Sequence, residues 1–458
     1  MSYTTAGDSA SRNRGQPETK NGSCHVSRIL VGDLYLHVGQ QVQLAGWLHR
    51  QRRLSRVTFL IVRDNSGLGQ VVVEDAQQAE DLAGLPPETV ISVVGKAVEN
   101  DQAPGGVELH QPVVQVISLP DEVPPIDLYR PVLKAQLPTL LDLAPLTLRH
   151  PRRREVFQIA AAAIAGFRSA LDDLGFTEIQ TPKIVASATE SGANVFKIDY
   201  FKRPAYLAQS PQLYKQVMVG VFERVYETGP VFRAEPHDTA RHLSEYVSLD
   251  AELGFIEDHT TVMAVARDAV SGMVAQIRQR AAPAVAALGL ELPEVPPELP
   301  AIHFAEAQSL IAADTGQDLA GELDLDPAHE RWLSDWALRS LGSEFLFVTG
   351  YPMAKRPFYT HPDPKRPEFS NSFDLLFRGL ELCTGGQRLH LYRDYIEALA
   401  IRGQDPAPLA GYLDAFKFGM PPHGGFAIGL ERFVARLTGA ANIREATLFP
   451  RDINRLTP

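Results

Sequence analysis

The segment FRAEPHDTARHLSEY, residues 232–246, gathers charged side chains between two apolar stretches. Arg233 and Glu235 are two residues apart, so on a strand they would share one face. A second strand beginning near Tyr246 would form a hairpin that presents Arg233 and His242 to one ligand. The planar guanidinium makes paired bonds with phosphate oxygens, so the ligand could be a phosphate anion. A salt-bridged surface hairpin would give the same pattern, and this segment alone does not separate the two.

A second segment, PPHGGFAIGLERFVARLTG at residues 421–439, places glycines directly before a helical pattern that Glu431 and Arg432 open. Glycines let a ligand approach the backbone closely, and an arginine at a helix start adds to the anion site there. Taken alone, the pattern is equally typical of an ordinary strand-to-helix turn.

The third segment spans residues 350–390 and contains Glu381, Thr384 and Arg388. Glu381 and Thr384 supply hard oxygen atoms three residues apart. Such oxygens suit Mg²⁺ that is also attached to substrate phosphates. The three segments together favour a site for a polyphosphate.

The composition limits the class of protein. A chain of 458 residues with 45% hydrophobic residues can form two or three domains. The formal charge of −11 excludes a nonspecific nucleic-acid coat, which needs widespread phosphate neutralisation. Basic clusters at residues 49–56 and 149–154 could be solvated surfaces or local nucleic-acid contacts.

The patterns of apolar residues and the low number of cysteines predict a cytoplasmic protein. We expect no membrane contact, because no apolar run has the length of a membrane span and the first residues lack the apolar block of a secretory signal. Cys24 and Cys383 are too few for a disulfide framework or a zinc cluster.

The amino-terminal part of the chain has the texture of a small β domain. Residues 1–26 are polar and without apolar periodicity, so we expect a disordered tail. Residues 27–120 contain about five short β-rich runs separated by turn residues, which predict a small antiparallel barrel. The proline-rich chain that follows predicts a linker over residues 121–145.

The remaining residues, 146–458, mix helical and strand patterns. A secure amphipathic helix ends at Gly175, and we expect its apolar face to include Phe157, Ala161, Ile164 and Phe167. The mixed order predicts an α+β domain built on an antiparallel sheet with flanking helices.

These segments resemble the motifs of the class II aminoacyl-tRNA synthetases. LGFTEIQTPKI, with Pro182, is similar to the first motif, FRAE…RHLSEY to the second and GFAIGLER to the third. TESGANVF, QSPQLYKQ, RPFYTHPDP and TGGQRLH are similar to the aspartyl enzymes of archaeal and eukaryotic type. The resemblance covers residues 28–458 and implies an OB-fold anticodon-binding barrel, a class II catalytic domain and a homodimer.

The resemblance implies a two-step reaction in which ATP and aspartate form aspartyl-adenylate, and the aspartyl group then moves to the 3′ end of tRNA. It implies roles for seven residues toward ATP and Mg²⁺. Arg233 would hold the α-phosphate, His242 and Arg432 the other phosphates, and Tyr246 would stack on adenine. Glu235 would complete the ATP site, and Glu381 and Thr384 would carry Mg²⁺.

For the amino acid, the resemblance implies that Lys215 and Arg388 recognise the side-chain carboxylate. Glu190, Gln212 and Asp250 would line the same site. Ordinary ion pairing is the structural alternative for Glu190 and Asp250.

For tRNA, the resemblance implies that Phe59 stacks on the central anticodon uridine, that Gln70 bonds to it and that Arg52 meets the loop. His49 and Pro104 match positions where relaxed relatives carry histidine and proline. The chain would therefore charge tRNA(Asp) and also tRNA(Asn), whose aspartyl group a tRNA-dependent amidotransferase would amidate. His49 could equally be an ordinary surface residue of the barrel.

Four other functions remain open from the sequence. A discriminating aspartyl enzyme or an asparaginyl-tRNA synthetase would share the fold and motifs. Asparaginyl enzymes usually have Glu shortly after the arginine that corresponds to Arg388, whereas this chain has QRLH, with His390. A tRNA-independent aspartate-amidating enzyme would not need the β domain. A noncatalytic RNA-binding paralogue would not need the charged residues of the three motifs.

Overall fold

The computed structural model describes residues 27–186 and 194–458. The chain divides after Arg130 into two compact units. Residues 1–26, for which we expect a disordered tail, lie outside the described residues. Among the residues that the structure describes, no helix combines the length and apolar composition needed to cross a bilayer.

The first unit is a closed five-stranded barrel with strand order β1-β2-β3-β5-β4. Its strands are β1 (Gln41–Arg53), β2 (Thr58–Arg63), β3 (Leu68–Val73), β4 (Val90–Glu99) and β5 (Val107–Ser118). Helix α1 (Ala76–Leu82) connects β3 to β4, and 3₁₀ turns occupy Val31–His37 and Pro104–Gly106.

Alternating side chains close the barrel around an apolar interior. Leu44, Leu60, Val62 and Val71 are fully buried there, as expected for the inward face of strands with a period of two. The predicted barrel is confirmed, but β3 and β5 pair in parallel rather than antiparallel. Barrel closure produces this pair, because the last strand in sequence lies between β3 and β4.

The second unit contains an eight-stranded sheet with the order β12-β13-β14-β15-β16-β11-β10-β6. Its strands are β6 (Thr177–Glu178), β10 (Arg224–Phe232), β11 (Glu245–Gly254), β12 (Ala301–His303), β13 (Phe345–Thr349), β14 (Ser372–Phe377), β15 (Leu380–Gln387) and β16 (His423–Gly429). A separate small sheet consists of β7 (Ile184–Val185), β8 (Lys197–Tyr200) and β9 (Arg203–Leu207).

Most neighbours in the large sheet are antiparallel, which confirms the predicted fold class; the outer pairs β10–β6 and β12–β13 are parallel. The helices are α2 (Leu137–Asp142), α3 (Ala144–Thr147), α4 (Pro151–Asp173), α5 (Gln212–Phe222), α6 (His259–Arg280), α7 (Ala282–Leu288), α8 (Phe304–Thr315), α9 (Pro327–Leu341), α10 (Tyr392–Ile401), α11 (Ala410–Lys417) and α12 (Leu430–Thr438). Short 3₁₀ turns occupy Ala407–Leu409 and Ile443–Ala446.

Helix α2 lies inside residues 121–145, where the sequence predicts an irregular linker. Pro138 is in the first turn of this helix. Proline is tolerated there because the first turn leaves its backbone nitrogens unpaired in any case. The prolines therefore limit where the helix starts and do not prevent it.

Helix α4 is rotated relative to the expected face: Phe167 is fully buried as expected, but Ala161 is exposed. Its most buried residues are Ile159, Ala163 and Phe167, while Phe157 and Ile164 are only half-buried. Close contact with α6 explains the rotation, because a Cβ on Gly166 would lie 2.3 Å from the Gly272 carbonyl oxygen. Small residues let the two helices approach, and Phe157 and Ile164 line a groove beside strands β10 and β11.

Candidate functional site

Strands β15, β16 and β11 lie side by side and bring distant parts of the chain together. Thr384, Ala427 and Asp250 occupy one row across them, because Ala427 pairs with both neighbours. A cavity of about 680 Å³ lies against these strands. All seven residues to which the sequence assigns ATP or Mg²⁺ line it, namely Arg233, Glu235, His242, Tyr246, Glu381, Thr384 and Arg432.

Arg432 and Glu381 form the centre of the cavity wall. Arg432 Nη1 donates to the Glu381 carbonyl oxygen over 3.1 Å and lies 3.4 Å from Glu381 Oε1. Thr384 Oγ1 donates to the same carboxylate over 3.0 Å. Burial acts to raise the pKa of Glu381, but the Arg432 cation and the Thr384 bond outweigh it and lower the pKa. Glu381 is therefore an anion in direct contact with the Arg432 cation on the cavity wall.

The hairpin of β10 and β11 supplies the opposite wall. The Arg233 guanidinium lies over the Tyr246 ring, 5.7 Å from its centroid, and 3.9 Å from Glu235 Oε1. Burial and the Arg432 cation lower the pKa of His242. His242 is consequently neutral near pH 7 and can donate one hydrogen bond to a phosphate without adding charge.

Asp374, which sequence reasoning missed, lines a second cavity that shares His242, Glu381 and Arg432 with the first. It is buried on β14, where Arg356 Nη2 donates to its two oxygens over 3.1 and 3.2 Å. Burial and the nearby Glu381 carboxylate raise the pKa of Asp374 to about 6, against the effect of Arg356. An acidic residue within the apolar run SFDLLF was the available signal, since such a run gives little reason to bury a charge.

These carboxylates fit a divalent cation. The Glu381 carboxylate raises the pKa of Asp374, and a bound cation would relieve this repulsion between two carboxylates. Within residues 27–186 and 194–458, no group of three or more His, Cys, Asp or Glu side chains is arranged to hold a metal ion. Two carboxylates and the Thr384 hydroxyl would leave half of an octahedral shell to phosphate oxygens and water.

Two buried cations lie on the side of β11 and β16 next to this cavity. Lys215, from α5, is 1% exposed and donates to Asp250 Oδ1 over 3.0 Å. Arg388 is 7% exposed and donates through Nε to Glu252 Oε1 over 3.0 Å. Glu252 Oε2 is also 3.3 Å from Lys215 Nζ. The two predicted carboxylate-binding cations therefore share one buried anion.

Glu252 is the second residue that sequence reasoning missed. Burial acts to raise the pKa of Glu252, and Arg388 and Lys215 lower it by a larger amount. The run SLDAEL contains the signal, because Ser248, Asp250 and Glu252 alternate onto one face of β11. A Cβ on Gly425 would lie 2.0 Å from Glu252 Oε2. This glycine accommodates a protein carboxylate, whereas the sequence had suggested that the glycines admit a ligand.

Gln212 also lies in this group, since Arg388 Nη2 is 3.5 Å from Gln212 Oε1. Four of the five residues assigned to the amino acid therefore lie together: Gln212, Lys215, Asp250 and Arg388. The fifth, Glu190, lies outside the described residues.

On the barrel, the predicted tRNA contacts share one surface. Arg52 pairs with Phe59, and Gln70 pairs with Ile61, two residues further along β2. Arg52 is exposed, and Phe59 and Gln70 are partly exposed. Gln70 Nε2 donates to Glu108 over 2.7 Å, and Glu108 is 2.8 Å from His110. Glu108 and His110 extend this surface onto β5, and the sequence analysis did not find them.

His49 and Pro104 are not part of that surface. His49 is 6% exposed, and its Nδ1 lies 3.1 Å from Arg63 Nη1. Arg63 also makes two bonds to Glu88, at 2.7 and 2.8 Å. Pro104 is exposed at the start of its 3₁₀ turn. His49 is thus an interior partner of Arg63 and not an exposed base-reading side chain.

An eight-stranded sheet with a cavity lined by arginines and carboxylates, preceded in the chain by a closed five-stranded barrel, is the architecture of a class II synthetase with an OB-fold. The model described as "tRNA synthetases class II (D, K and N)" matches residues 137–453, and the model described as "OB-fold nucleic acid binding domain" matches residues 42–117. The chain belongs to the class II tRNA synthetase family for D, K and N, as the motifs predicted.

Several relatives and solved structures are similar over nearly the whole chain. The aspartate–tRNA(Asp/Asn) ligase of Thermus thermophilus is 46% identical, covering 94% of this chain and 100% of that protein. The ligase of the same name from Deinococcus radiodurans is 44% identical, covering 94% and 99%. The asparaginyl-tRNA synthetase of Pyrococcus horikoshii complexed with asparaginyl-adenylate has a TM-score of 0.84 at 31% identity, covering 92% of this chain and 97% of that one.

Proposed function

We propose that this chain is an aspartate–tRNA ligase that charges both tRNA(Asp) and tRNA(Asn). The observation that carries the proposal is the buried pair of cations Lys215 and Arg388 beside the cavity of Arg233 and Arg432. A small diacid and a polyphosphate are the ligands that two adjoining cationic sites of this kind favour. The names of the curated relatives, which cover nearly the whole chain, support the choice of aspartate and of two tRNAs.

The first step joins aspartate to the α-phosphate of ATP and releases pyrophosphate. No protein nucleophile is needed, because the substrate carboxylate attacks phosphorus while the protein positions the groups and stabilises charge. Arg233 binds the α-phosphate, His242 and Arg432 bind the other phosphates, Tyr246 stacks on adenine and Glu235 completes the site. These roles agree with the common cavity that these side chains line.

Mg²⁺, when bound, neutralises the polyphosphate. We assign Glu381, Thr384 and the newly found Asp374 to hold it. The close approach of Arg432 to Glu381 supports this assignment, since that arginine is poised to exchange the carboxylate for phosphate oxygens.

Aspartate is selected by charge. Lys215 and Arg388 donate to its side-chain carboxylate, while Gln212, Asp250 and Glu190 line the site. Asparagine offers an amide in place of one acceptor oxygen and would leave a buried cation underpaired, at a cost of about 1 to 3 kcal/mol. Glu252 keeps both cations in place before the substrate arrives.

In the second step a ribose hydroxyl of the terminal adenosine attacks the aspartyl carbonyl carbon, and AMP leaves. The barrel selects the tRNA: Phe59 stacks on the central anticodon base, Gln70 bonds to its edge and Arg52 meets the loop. His49 affects the neighbouring base through Arg63, and Pro104 shapes the adjoining loop. Aspartyl-tRNA(Asn) would then pass to an amidotransferase.

We also propose that the enzyme is a cytoplasmic homodimer, since ATP and uncharged tRNA meet in that compartment. An apolar groove beside α4 supports the dimer. Phe157, Ala161 and Ile164 line a groove there with the partly exposed Leu448 and Phe449. Sedimentation should give twice the monomer mass of 50.3 kDa.

The decisive experiment charges purified tRNA(Asp) and tRNA(Asn) transcripts with labelled aspartate and labelled asparagine. We expect aspartate on both tRNAs and asparagine on neither. Aspartate on tRNA(Asp) alone would identify a discriminating enzyme. Asparagine on tRNA(Asn) would identify an asparaginyl enzyme and overturn the proposal.

A further inference from the structure

Behind the proposed aspartate site lies a compact group of buried polar side chains to which no role has been assigned. It consists of Gln216, Tyr395, Tyr412 and His423, which we call the Gln216 cluster. Their exposed fractions are 0%, 0%, 7% and 0%. Four polar side chains in an apolar neighbourhood of Leu213, Leu389, Leu413 and Phe416 need a complete set of hydrogen bonds.

The amide of Gln216 uses both of its ends. Its Oε1 lies 2.9 Å from Gln212 Nε2 and 3.1 Å from the Tyr412 hydroxyl, both donors. Its Nε2 lies 3.1 Å from the Tyr395 hydroxyl and 3.0 Å from His423 Nε2. These four contacts saturate the two acceptor and two donor positions of a glutamine side chain.

His423 determines which way this amide points. Its Nδ1 lies 2.9 Å from the Pro421 carbonyl oxygen, which only accepts, so Nδ1 carries the proton. Burial lowers the pKa of His423 to about 4, so Nε2 carries none near pH 7 and accepts from Gln216. The Gln216 amide group therefore faces His423, and its carbonyl oxygen faces Gln212.

The same logic continues to Gln212 and Arg388. Gln212 gives its amide hydrogens to Gln216, so its carbonyl oxygen is the end that faces Arg388 Nη2, 3.5 Å away. The reverse orientation would set an amide donor against a guanidinium donor. A fixed order of donors and acceptors thus runs from His423 to Arg388.

The cluster also holds the backbone around Arg388. The Tyr395 hydroxyl donates to the Leu389 carbonyl oxygen over 2.7 Å. The Arg388 backbone nitrogen donates to the His423 carbonyl oxygen over 2.8 Å. Cluster members therefore contact the guanidinium's neighbour Gln212 and both sides of the Arg388 peptide.

We propose that the Gln216 cluster is a positioning device that fixes the orientation of Gln212 and the fork of Arg388, and so sets the preference for aspartate over asparagine. The inference rests on the proposed function, because it concerns the same amino-acid site. A carboxylate uses both prongs of a correctly placed guanidinium, whereas an amide offers only one acceptor. If the Arg388 guanidinium is misplaced, the binding of aspartate is therefore weakened more than the binding of asparagine.

Gln216→Met tests this in the full-length protein, because methionine keeps the length of the side chain and removes the amide. We expect the KM for aspartate in pyrophosphate exchange to rise about tenfold or more, as for loss of a bond to a charged group. The KM for ATP should stay within about twofold, since the cluster does not line the nucleotide cavity. The ratio of kcat/KM for aspartate to that for asparagine should fall.

A second pair of variants separates positioning from general stability. Tyr395→Phe removes one hydroxyl from the cluster, and we expect a rise of about fivefold in the KM for aspartate. Tyr226→Phe is the matched control: it also removes a hydroxyl from a ring that is 2% exposed, but this hydroxyl bonds to Asp172. It should leave both KM values unchanged.

The outcomes are distinct. A wild-type protein without aspartate-dependent exchange would refute the proposed function itself. An active wild type, with folded Gln216→Met and Tyr395→Phe variants that keep the wild-type KM and aspartate preference, would overturn the inference. Should Gln216→Met fail to fold, Tyr395→Phe against Tyr226→Phe still decides it.

Discussion

Charges in the proposed aspartate site are paired before any substrate is bound. Arg388 and Lys215 both contact Glu252, which is fully buried. Removing one member of such a group leaves an uncompensated buried charge, which typically costs about 3 to 5 kcal/mol. The pairs therefore hold the cations in place for a substrate carboxylate.

Arg388→Leu tests this at the level of one residue. We expect aspartate-dependent pyrophosphate exchange to fall at least about a hundredfold, because two charge-assisted bonds to the substrate are lost. Arg378→Leu is the control, since Arg378 also pairs with a carboxylate, Glu344, but contacts none of the residues assigned to aspartate. Exchange at the normal rate in Arg388→Leu would end the assignment of aspartate.

Glu431 gives a pH dependence of folding that can be measured separately. Burial and the nearby Glu245 raise its pKa from 4.5 to about 7, although the Val247 backbone nitrogen donates to it. Between these two values the folded chain holds a proton that the unfolded chain has released. The stability contributed by this proton is therefore complete below pH 4.5 and is lost as the pH rises through 7.

Glu431→Gln should remove this dependence, because glutamine keeps an acceptor for Val247 and cannot ionise. We expect the variant to match wild type near pH 5 and to exceed it at pH 8 by roughly 2 to 3 kcal/mol. Urea denaturation across this range measures the difference. Parallel pH curves for the two proteins would contradict it.

At the scale of the element, strand β2 carries both the proposed recognition residue Phe59 and residues of the barrel core. Leu60 and Val62 point inward and are fully buried, while Phe59 alternates to the surface that carries Gln70. This alternation lets one strand stabilise the barrel and present a ring to a base.

Phe59→Ala should raise the KM for tRNA(Asp) about tenfold, because stacking on an aromatic contributes about 1 to 3 kcal/mol per base. Aspartate-dependent exchange without tRNA should not change. Val113→Ala removes an exposed apolar side chain from β5 of the same barrel and serves as control. If both variants changed the KM for tRNA(Asp) equally, Phe59 would not be part of the proposed binding surface.

At the scale of the whole molecule, the two compact units have separate hydrophobic cores. The barrel core contains Leu44 and Leu109, and the main core of the second unit contains Phe167 and Phe426. Separate cores allow each unit to fold without the other.

We therefore expect the fragment Pro131–Pro458 to fold and to activate aspartate at about the full-length rate, since the proposed catalytic residues all lie within it. Its kcat/KM for tRNA(Asp) should fall at least about tenfold through loss of the anticodon contacts. Exchange assays and charging assays on the purified fragment measure the two effects. A fragment that charges tRNA as well as the whole chain would show that the barrel has no part in recognition.

The sequence predicted the barrel and the sheet and, through its resemblance to a known family, seven residues that line one cavity. Each depends on local signals: alternation along a strand, turn residues and short charged motifs. Those signals specify the face of a strand or helix on which a side chain lies. Pairing between neighbouring strands then aligns these faces.

Only the tertiary structure shows which residue pairs with each buried charged side chain. Arg388 and Glu252 are 136 residues apart, Asp374 meets Arg356 across a loop, and His49 turns inward to Arg63. Periodicity assigns a face but no partner, because the partner depends on the register of strands that are far apart in the chain. Burial makes that pairing necessary, because the free-energy cost of an unpaired charge inside the sheet is large compared with the net stability of a fold.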